Sequence, residues 1–301
     1  MAAVFLRTGS GITNFHRFTS SDFIAYCEGG EGNFSAADVL SGAANISSED
    51  ISFWRAMCAH FAPEVKVHFK PIGSCRNLVG MISDIRSKNA KNVAVFLDRD
   101  WRNYTGNIEK DNFVVYTFNY SWENDVVKAE NVAHAAVDLA HIGSHCIPEI
   151  QGMFCELTES LGISLKGPFR RQIESFGSGA VFVPTDYKLG GALEEADGLC
   201  RVNRSRLADI YRTAKKRYER RRDAPGVRGF HLGNCPGHVL MGLASLLIRA
   251  YLKKIGIRKP LYDADIRAMI IREFRDSASR YMTMDEVCYY RTAIGRALSV
   301  I

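Results

Sequence analysis

Two short apolar runs in the first half of the chain are each followed directly by a carboxylate. Phe23–Cys27 leads into Glu28, and Val93–Leu97 leads into Asp98, with Asp100 two positions later. An unbroken apolar run of this length is typical of a strand buried on both faces, as in a parallel sheet covered by helices. Because ligands bind beyond the carboxyl ends of the strands in such sheets, these acids are predicted to lie at a functional edge.

Helical and strand-like segments alternate around these two runs. The sequence Ser47-Ser48-Glu49-Asp50 has the form of a capping box and begins a stretch of helical spacing, which recurs over residues 78–85. Alternating apolar positions predict a strand at residues 65–69, and residues 113–118 are predicted to form a further strand. Strands that alternate with helices form parallel sheets through right-handed crossovers. The predicted fold is therefore α/β, with a mostly parallel, Rossmann-like sheet and helices on both faces.

The second half of the chain has a different texture. After residue 125 the apolar residues mostly recur at helical spacing, interrupted by a β-prone run at residues 180–183. Residues 227–232 are predicted to form a last core strand, followed by a helix from His238 and two more helices in the tail. The predicted organisation is an α/β core at 1–124, a mainly helical basic insert at 125–224, and the last core strand with C-terminal helices at 225–301.

The spacing of the acids suggests a metal site. Asp98 and Asp100 are two residues apart, and such residues project to the same side of an extended chain. Carboxylates at a strand end suit Mg²⁺, which keeps several waters for a phosphate-bearing substrate. A simple turn explains an Asp-x-Asp motif about equally well. The second acidic strand end, at Glu28, favours the metal site over the turn. Clustered carboxylates raise one another's pKa when no metal is bound, and Glu28 is therefore the predicted general acid or base.

Composition narrows the function classes only slightly. With 301 residues, 24% of them charged and 47% hydrophobic, the chain has the composition of an ordinary globular protein. A net charge of +6 permits a polyanionic partner without requiring one. No signal peptide is apparent in residues 1–18, the eight cysteines include no Cys-x-x-Cys pair, and the most apolar helix is too short to cross a membrane. We therefore expect a cytoplasmic protein without membrane contact.

Positive charge is concentrated between residues 201 and 222, where ten Arg and Lys residues accompany only two acids. Tyr211 and Tyr218 lie in the same stretch and are placed to stack on unpaired bases beside phosphate contacts. A solvated helix with inward tyrosines and a docking surface for an acidic protein are the alternatives. Arg76, at the start of a helix, is a further candidate phosphate contact, although a plain helix cap explains it nearly as well. The candidate nucleic-acid contacts are Arg212, Lys215, Lys216, Arg217 and Arg220.

The order of the acidic motifs resembles the TOPRIM domain of topoisomerases, primases and several nucleases. The chain is similar to a bacterial TOPRIM-like group with Glu-Gly after the first strand, Asp-Arg-Asp after the third and Glu-Asn beside aromatic residues after the fourth. Here these motifs are Glu28-Gly29, Asp98-Arg99-Asp100 and Tyr120-Ser121-Trp122-Glu123-Asn124. The group usually carries an Asp four residues after the first Glu, whereas this chain has Gly32 there and Glu31 one place earlier. The resemblance covers roughly the first ~125 residues, the length of one compact domain, and returns at Gly237-His238.

This resemblance implies a metal-dependent nuclease. Glu28, Asp98 and Asp100 would be catalytic and, with Glu123, would hold one or two Mg²⁺ or Mn²⁺ ions. The possible auxiliary residues are Glu31, Arg76, Arg99 and His238.

Within the group the chain is similar to the effectors of two-gene PARIS anti-phage systems. That similarity implies an RNA substrate, in particular transfer RNA, and toxicity to infected cells. It further implies storage in an inactive complex with an ABC-type ATPase partner and dimerisation on release. A DNA-nicking or DNA-cleaving TOPRIM nuclease and a non-catalytic module that binds nucleic acid or a partner are the alternatives.

Overall fold

The chain is divided into two units. The computed structural model describes residues 9–28, 48–72, 75–106, 108–196, 199–220, 230–257 and 260–299. The first unit combines Met1–Asp98, Glu109–Phe118 and Ser277–Ile301, and the second combines Arg99–Ile108 with Asn119–Asp276. The domain boundaries expected at residues 124 and 224 stay predictions.

The first unit is α/β. Its elements in chain order are α1 (Gly9–Phe18), β1 (Phe23–Cys27), α2 (Glu49–Phe61), β2 (Val67–Pro71), α3 (Cys75–Ser87), β3 (Val93–Leu97), β4 (Val114–Tyr116), α11 (Ala278–Tyr281) and α12 (Met284–Ala297). The four strands form one sheet in the order β2-β1-β3-β4, and all its pairs are parallel. Every residue of β1, β3 and β4 is buried, as expected for strands covered on both sides. This architecture is compatible with a Rossmann-like fold and confirms the predicted parallel sheet.

Strand β2 shows how both faces of this sheet are covered. His68 and Lys70 lie on the side of α1, where Phe15 packs against their side chains. The residue between them, Phe69, packs on the opposite side against Phe96 of β3, which also contacts Trp54 of α2. The period-two alternation of a strand thus places successive side chains against different helical layers.

The helix start predicted around Ser48 is confirmed, and α12 begins with a similar cap. Ser48 precedes α2 and accepts a hydrogen bond from the Ile51 amide at 3.4 Å. At the start of α12, Thr283 accepts from the Glu286 amide, and the Glu286 carboxylate accepts from the Thr283 amide at 2.7 Å. Both arrangements satisfy amides that have no partner within the first turn of a helix.

Helix α12 closes one side of the sheet. Tyr290 is fully buried among Phe53, Trp54 and Phe61 of α2. Its hydroxyl accepts a hydrogen bond from the Phe118 amide at 2.9 Å, just beyond β4. The first unit is therefore completed by a helix that is distant from the sheet in sequence.

The second unit is mainly helical, as predicted for the insert. Its elements are α4 (Arg102–Thr105), α5 (Trp122–Val126), α6 (Ala129–Ala140), a 3₁₀ turn (Ser144–Cys146), α7 (Ile147–Glu174), β5 (Leu193–Ala196), β6 (Leu199–Val202), α8 (Arg204–Lys215), a second 3₁₀ turn (Leu232–Asn234), α9 (Gly237–Lys254) and α10 (Asp263–Asp276). Helix α9 is buried along most of its length, and α6 packs against both α7 and α10. Strands β5 and β6 form an antiparallel pair.

One strand expectation in this half is wrong, and a second falls partly outside the described residues. Residues 180–183 form no strand, because their backbone groups bond to the side chain of buried Gln172 and not to a neighbouring strand. Its Oε1 accepts from the amides of Phe182 and Val183, and its Nε2 donates to the Ala180 carbonyl. Of the strand predicted at 227–232, residues 227–229 lie outside the described residues, and Leu232 begins a 3₁₀ turn.

No helix within the described ranges is both long and apolar enough to cross a membrane.

Candidate functional site

Glu28 and Asp98 follow neighbouring parallel strands of the first unit. Strands β1 and β3 are paired so that Cys27 lies opposite Phe96. The Glu28 amide donates to the Phe96 carbonyl at 3.3 Å, which continues the ladder one residue beyond β1. Asp98 follows the last residue of β3 directly, and both acids are half-buried. The predicted acidic edge is therefore present at the carboxyl ends of β1 and β3.

The donor chemistry of this edge fits a hard divalent cation. Carboxylate oxygens are the ligands that Mg²⁺ and Mn²⁺ prefer. The rest of the predicted first acidic loop, Gly29–Gly32 with Glu31, lies outside the described residues, as does the side chain of Arg76 at the start of α3. Within the described part of the chain no three His, Cys, Asp or Glu side chains are grouped as a metal site.

Asp100 belongs to the second unit and has an unusual backbone conformation. Its φ of 49° lies in the left-handed region, so the extended chain assumed for Asp98 and Asp100 does not continue through it. The Asp100 amide donates to the Tyr120 carbonyl at 2.6 Å, and its carboxylate lies 3.6 Å from the Arg102 guanidinium. Burial raises the pKa of the Asp100 carboxyl, while Arg102 and a hydrogen bond with Tyr120 oppose that rise. The neighbouring Arg99 is half-buried, and its carbonyl accepts from the Arg102 amide.

Glu123 forms a buried hydrogen-bonded cluster with Ser121 and His238 in the second unit. Only 2% of Glu123 is exposed. Its Oε1 lies 2.6 Å from His238 Nδ1, and its Oε2 accepts from the Ser121 hydroxyl at 2.5 Å. A Cβ on the adjacent Gly237 would come within 2.6 Å of Glu123 Oε2, so a larger residue would displace the carboxylate. Glu123, predicted as a metal ligand, thus has both carboxylate oxygens in contact with protein groups.

A second set of hydrogen bonds holds the segment before α9, which carries His238. Asn124 donates to the carbonyls of Leu232 and Cys235, at 3.1 and 2.8 Å, and accepts from the Ser121 amide. The Trp101 indole donates to the Asn234 carbonyl at 3.0 Å. The contacts of the Glu-Asn motif explain its structural role. Glu123 orients the His238 ring, and Asn124 fixes the turn that precedes His238.

His238 also takes part in an aromatic stack that the sequence did not reveal. Its ring lies over the Tyr187 ring, with centroids 4.8 Å apart and planes 29° apart. The Arg267 guanidinium lies 5.2 Å from the Tyr187 centroid. Although the imidazole contacts the Glu123 carboxylate through Nδ1, 53% of the His238 side chain is exposed. No periodicity or motif marks Tyr187, which explains why sequence reasoning missed it.

The basic segment has the predicted charges on its surface, but its tyrosines point inward. Arg212 and Lys215 are exposed on α8, and Lys216, Arg217 and Arg220 are exposed just after it. Arg212 pairs with Asp209.

Tyr211 and Tyr218 pack edge-on against buried Phe182, at 5.2 and 5.9 Å between centroids. The Tyr218 hydroxyl donates to Glu174 at 3.0 Å. The prediction that these two tyrosines stack on bases is therefore wrong, because both rings pack against Phe182 in the core of the second unit.

Comparison with known proteins gives no assignment: no protein-family model matches the chain, and no curated protein matches it.

Proposed function

We propose that this chain is a TOPRIM-type, Mg²⁺-dependent nuclease that cleaves RNA. The observation that carries the proposal is the pair of carboxylates at one edge of the sheet. Glu28 and Asp98 follow two parallel strands that are hydrogen-bonded to each other up to the Glu28 amide. Ligand sites of open α/β sheets lie beyond the carboxyl ends of the strands.

Glu28 and Asp98 are the residues of the first unit that would hold the ion. When bound, Mg²⁺ would polarise a phosphodiester and neutralise charge that develops on its oxygens. The contribution of the chain is to fix two carboxylates on a rigid frame, since both follow strands whose residues are entirely buried. Preorganised charge of this kind needs little rearrangement during reaction.

A nucleic-acid substrate is supported by the second unit. Arg212, Lys215, Lys216, Arg217 and Arg220 are exposed and carry positive charge that phosphates neutralise. In the proposed biology the chain is a toxic effector of anti-phage defence that cleaves transfer RNA. An ABC-type ATPase holds it inactive, and it acts as a homodimer after release. The motifs shared with the TOPRIM-like group support these steps.

The nuclease proposal is tested with the purified chain, single-stranded RNA, transfer RNA and duplex DNA, each with Mg²⁺, Mn²⁺ or a chelator. We expect cleavage of RNA that requires metal. Glu28→Gln and Asp98→Asn should each reduce the rate at least about a hundredfold, in line with removal of one preorganised electrostatic group, without lowering thermal stability.

Glu64→Gln is the matched control, because Glu64 is an exposed acid of the first unit outside the strand edge. RNA cleavage that persists in Glu28→Gln or in chelator would overturn the proposed site. Metal-dependent cleavage of DNA but not RNA would keep the site and change the substrate class.

A further inference from the structure

We propose that the exposed ring of His238, stacked on Tyr187, binds an unpaired nucleobase of a single-stranded nucleic acid. This inference rests on the proposed function for its substrate class, and it concerns residues of the second unit, whereas Glu28 and Asp98 belong to the first. It assigns a base-stacking role to residues of the second unit, in place of Tyr211 and Tyr218, which pack into the core.

The first support is that the His238 ring is fixed. Glu123 holds Nδ1 at 2.6 Å, and the Glu123 carboxylate is itself held by Ser121 in a buried position. A ring that is already oriented loses little conformational freedom when a flat ligand covers it, so the contact costs less entropy. Tyr187 stacks on the imidazole, yet more than half of the His238 side chain is exposed, so a base can reach the ring from solvent.

The second support is that Tyr187 is fixed as well. Its carbonyl lies against α9 where Gly242 has no side chain, and a Cβ there would collide with it. The following turn is closed by Asp186, whose carboxylate accepts from the amides of Lys188 and Gly190, at 3.0 and 2.8 Å. The Arg267 guanidinium lies over the tyrosine ring. The Tyr187 ring is thus held by contacts with both the Arg267 guanidinium and the His238 imidazole.

The third support is that this turn contacts the basic helix. Arg206 of α8 donates from Nε to the Gly190 carbonyl at 3.0 Å, and a Cβ at Gly190 would meet the Ile210 side chain. Lys188, next to Tyr187, is exposed, as are Arg206 and Arg212. Cationic side chains that track a backbone beside aromatic rings are the usual composition of single-strand binding surfaces.

These features favour a nucleobase over a protein side chain. A base offers a π face to the imidazole and brings a phosphate for the neighbouring cations, and such stacking tolerates any base because every base has a π face. A base within a duplex is already covered on both faces, so the proposal specifies unpaired regions such as loops and strand ends.

The test uses 2-aminopurine, a fluorescent base whose emission falls when it stacks. The probe is a single-stranded RNA of about 12 nucleotides, within the site sizes of single-strand binding proteins, with 2-aminopurine at its centre. The protein carries Glu28→Gln, and a chelator is present, so the probe is bound and not cut. We expect quenching on binding, an about 5- to 150-fold weaker affinity with loss of quenching in His238→Ala, and retention of both in His238→Phe.

The matched control is Tyr262→Ala, since Tyr262 is an exposed tyrosine of the second unit, 72% exposed and outside the stack. It should leave affinity and quenching unchanged. Unchanged quenching in His238→Ala, or loss of quenching in His238→Phe equal to that in His238→Ala, would overturn the stacking site. The binding test involves neither metal nor cleavage, so the two proposals can fail separately. Quenching without nuclease activity would support the stacking site and contradict the proposed nuclease. Nuclease activity without quenching would contradict the stacking site and support the nuclease.

Discussion

Lys70 shows the cost of a charge in an apolar layer. It belongs to β2, is 7% exposed, and its ammonium lies 3.4 Å from the centre of the Phe15 ring. Burial lowers the pKa of this amine to about 8. The aromatic face partly compensates for lost hydration through a cation–π contact, but the neutral amine is favoured over the charged one relative to water.

This shift predicts a pH dependence of stability. Between about pH 8 and pH 10.5 the unfolded chain keeps a proton on Lys70 that the folded chain has released. The free energy of unfolding should therefore rise with pH across this window, by up to about 3 kcal/mol for this one group. Lys70→Met should lack that part of the rise, as measured by urea unfolding at about pH 7, which is below the window, at about pH 9, which is within it, and at about pH 10.5, its upper end.

The control is Lys66→Met, because Lys66 is an exposed lysine one residue before β2. Parallel stability profiles for Lys70→Met and the unmodified protein would show that the Lys70 amine is not perturbed.

At the scale of elements, the packing of α9 depends on two glycines, at which other segments of the second unit approach the helix backbone closely. A Cβ at Gly242 would overlap the Tyr187 carbonyl, and one at Gly237 would press on Ser121 and Glu123. The Glu123 carboxylate and the Tyr187 backbone carbonyl are therefore positioned by the absence of a side chain on the helix. Close backbone approach of this kind is a specific use of glycine.

Gly242→Ala is expected to destabilise the protein by about 1–3 kcal/mol, since a Cβ forced into a filled space displaces backbone. Gly152→Ala in α7 is the matched control, because no atom lies within 4 Å of a Cβ at that position. That change should instead stabilise by about 0.4–1 kcal/mol through the unfolded chain. Urea unfolding of both variants distinguishes them, and equal effects would contradict the close approach of Tyr187.

How far the sequence predicts these elements depends on where their partners lie. The buried strands β1 and β3 were predictable because five consecutive apolar residues have few other stable environments. The strand predicted at 180–183 failed because its hydrogen-bond partner is a single glutamine side chain, and local periodicity contains no signal for that.

The candidate site likewise has residues that the local sequence predicts and residues that it does not. Glu28 and Asp98 were predictable from their positions at strand ends, which are local properties of the chain. The contact of Glu123 with His238 depends on the arrangement of α5 and α9, and the left-handed backbone of Asp100 depends on its bond to Tyr120. Tertiary contacts of this kind leave no periodic pattern in the sequence.

At the scale of the molecule, the charge after α8 predicts a salt dependence of RNA binding. If Lys215, Lys216, Arg217 and Arg220 contact phosphates, replacing all four by Gln should flatten the slope of log affinity against log salt by about 0.7 per lost contact. Titrations of single-stranded RNA over a range of salt concentrations measure this slope.

A matched variant removes the same charge elsewhere, at exposed positions of α10 and α12: Arg272, Arg275, Arg291 and Arg296. An equal flattening in both variants would show that net charge, and not this segment, governs binding.

The proposed nuclease also predicts an effect on cells. Expression of the chain without a restraining partner should arrest bacterial growth, because cleavage of cellular RNA stops translation. Asp98→Ala should remove the arrest at equal protein level, and Glu64→Ala should not, as followed by culture density and sequencing of RNA ends. Arrest that persists in Asp98→Ala would mean that binding or aggregation, and not cleavage, harms the cell.

The bond between the Phe118 amide and the Tyr290 hydroxyl joins residues 172 positions apart. A ribosome adding about 5–20 residues per second needs roughly 10–35 s to pass from one to the other. Throughout that interval the nascent sheet exists without the helix that covers Phe53 and Trp54, and its apolar side is open to chaperones. The frame that carries Glu28 and Asp98 therefore matures late in synthesis, after the whole second unit has been translated.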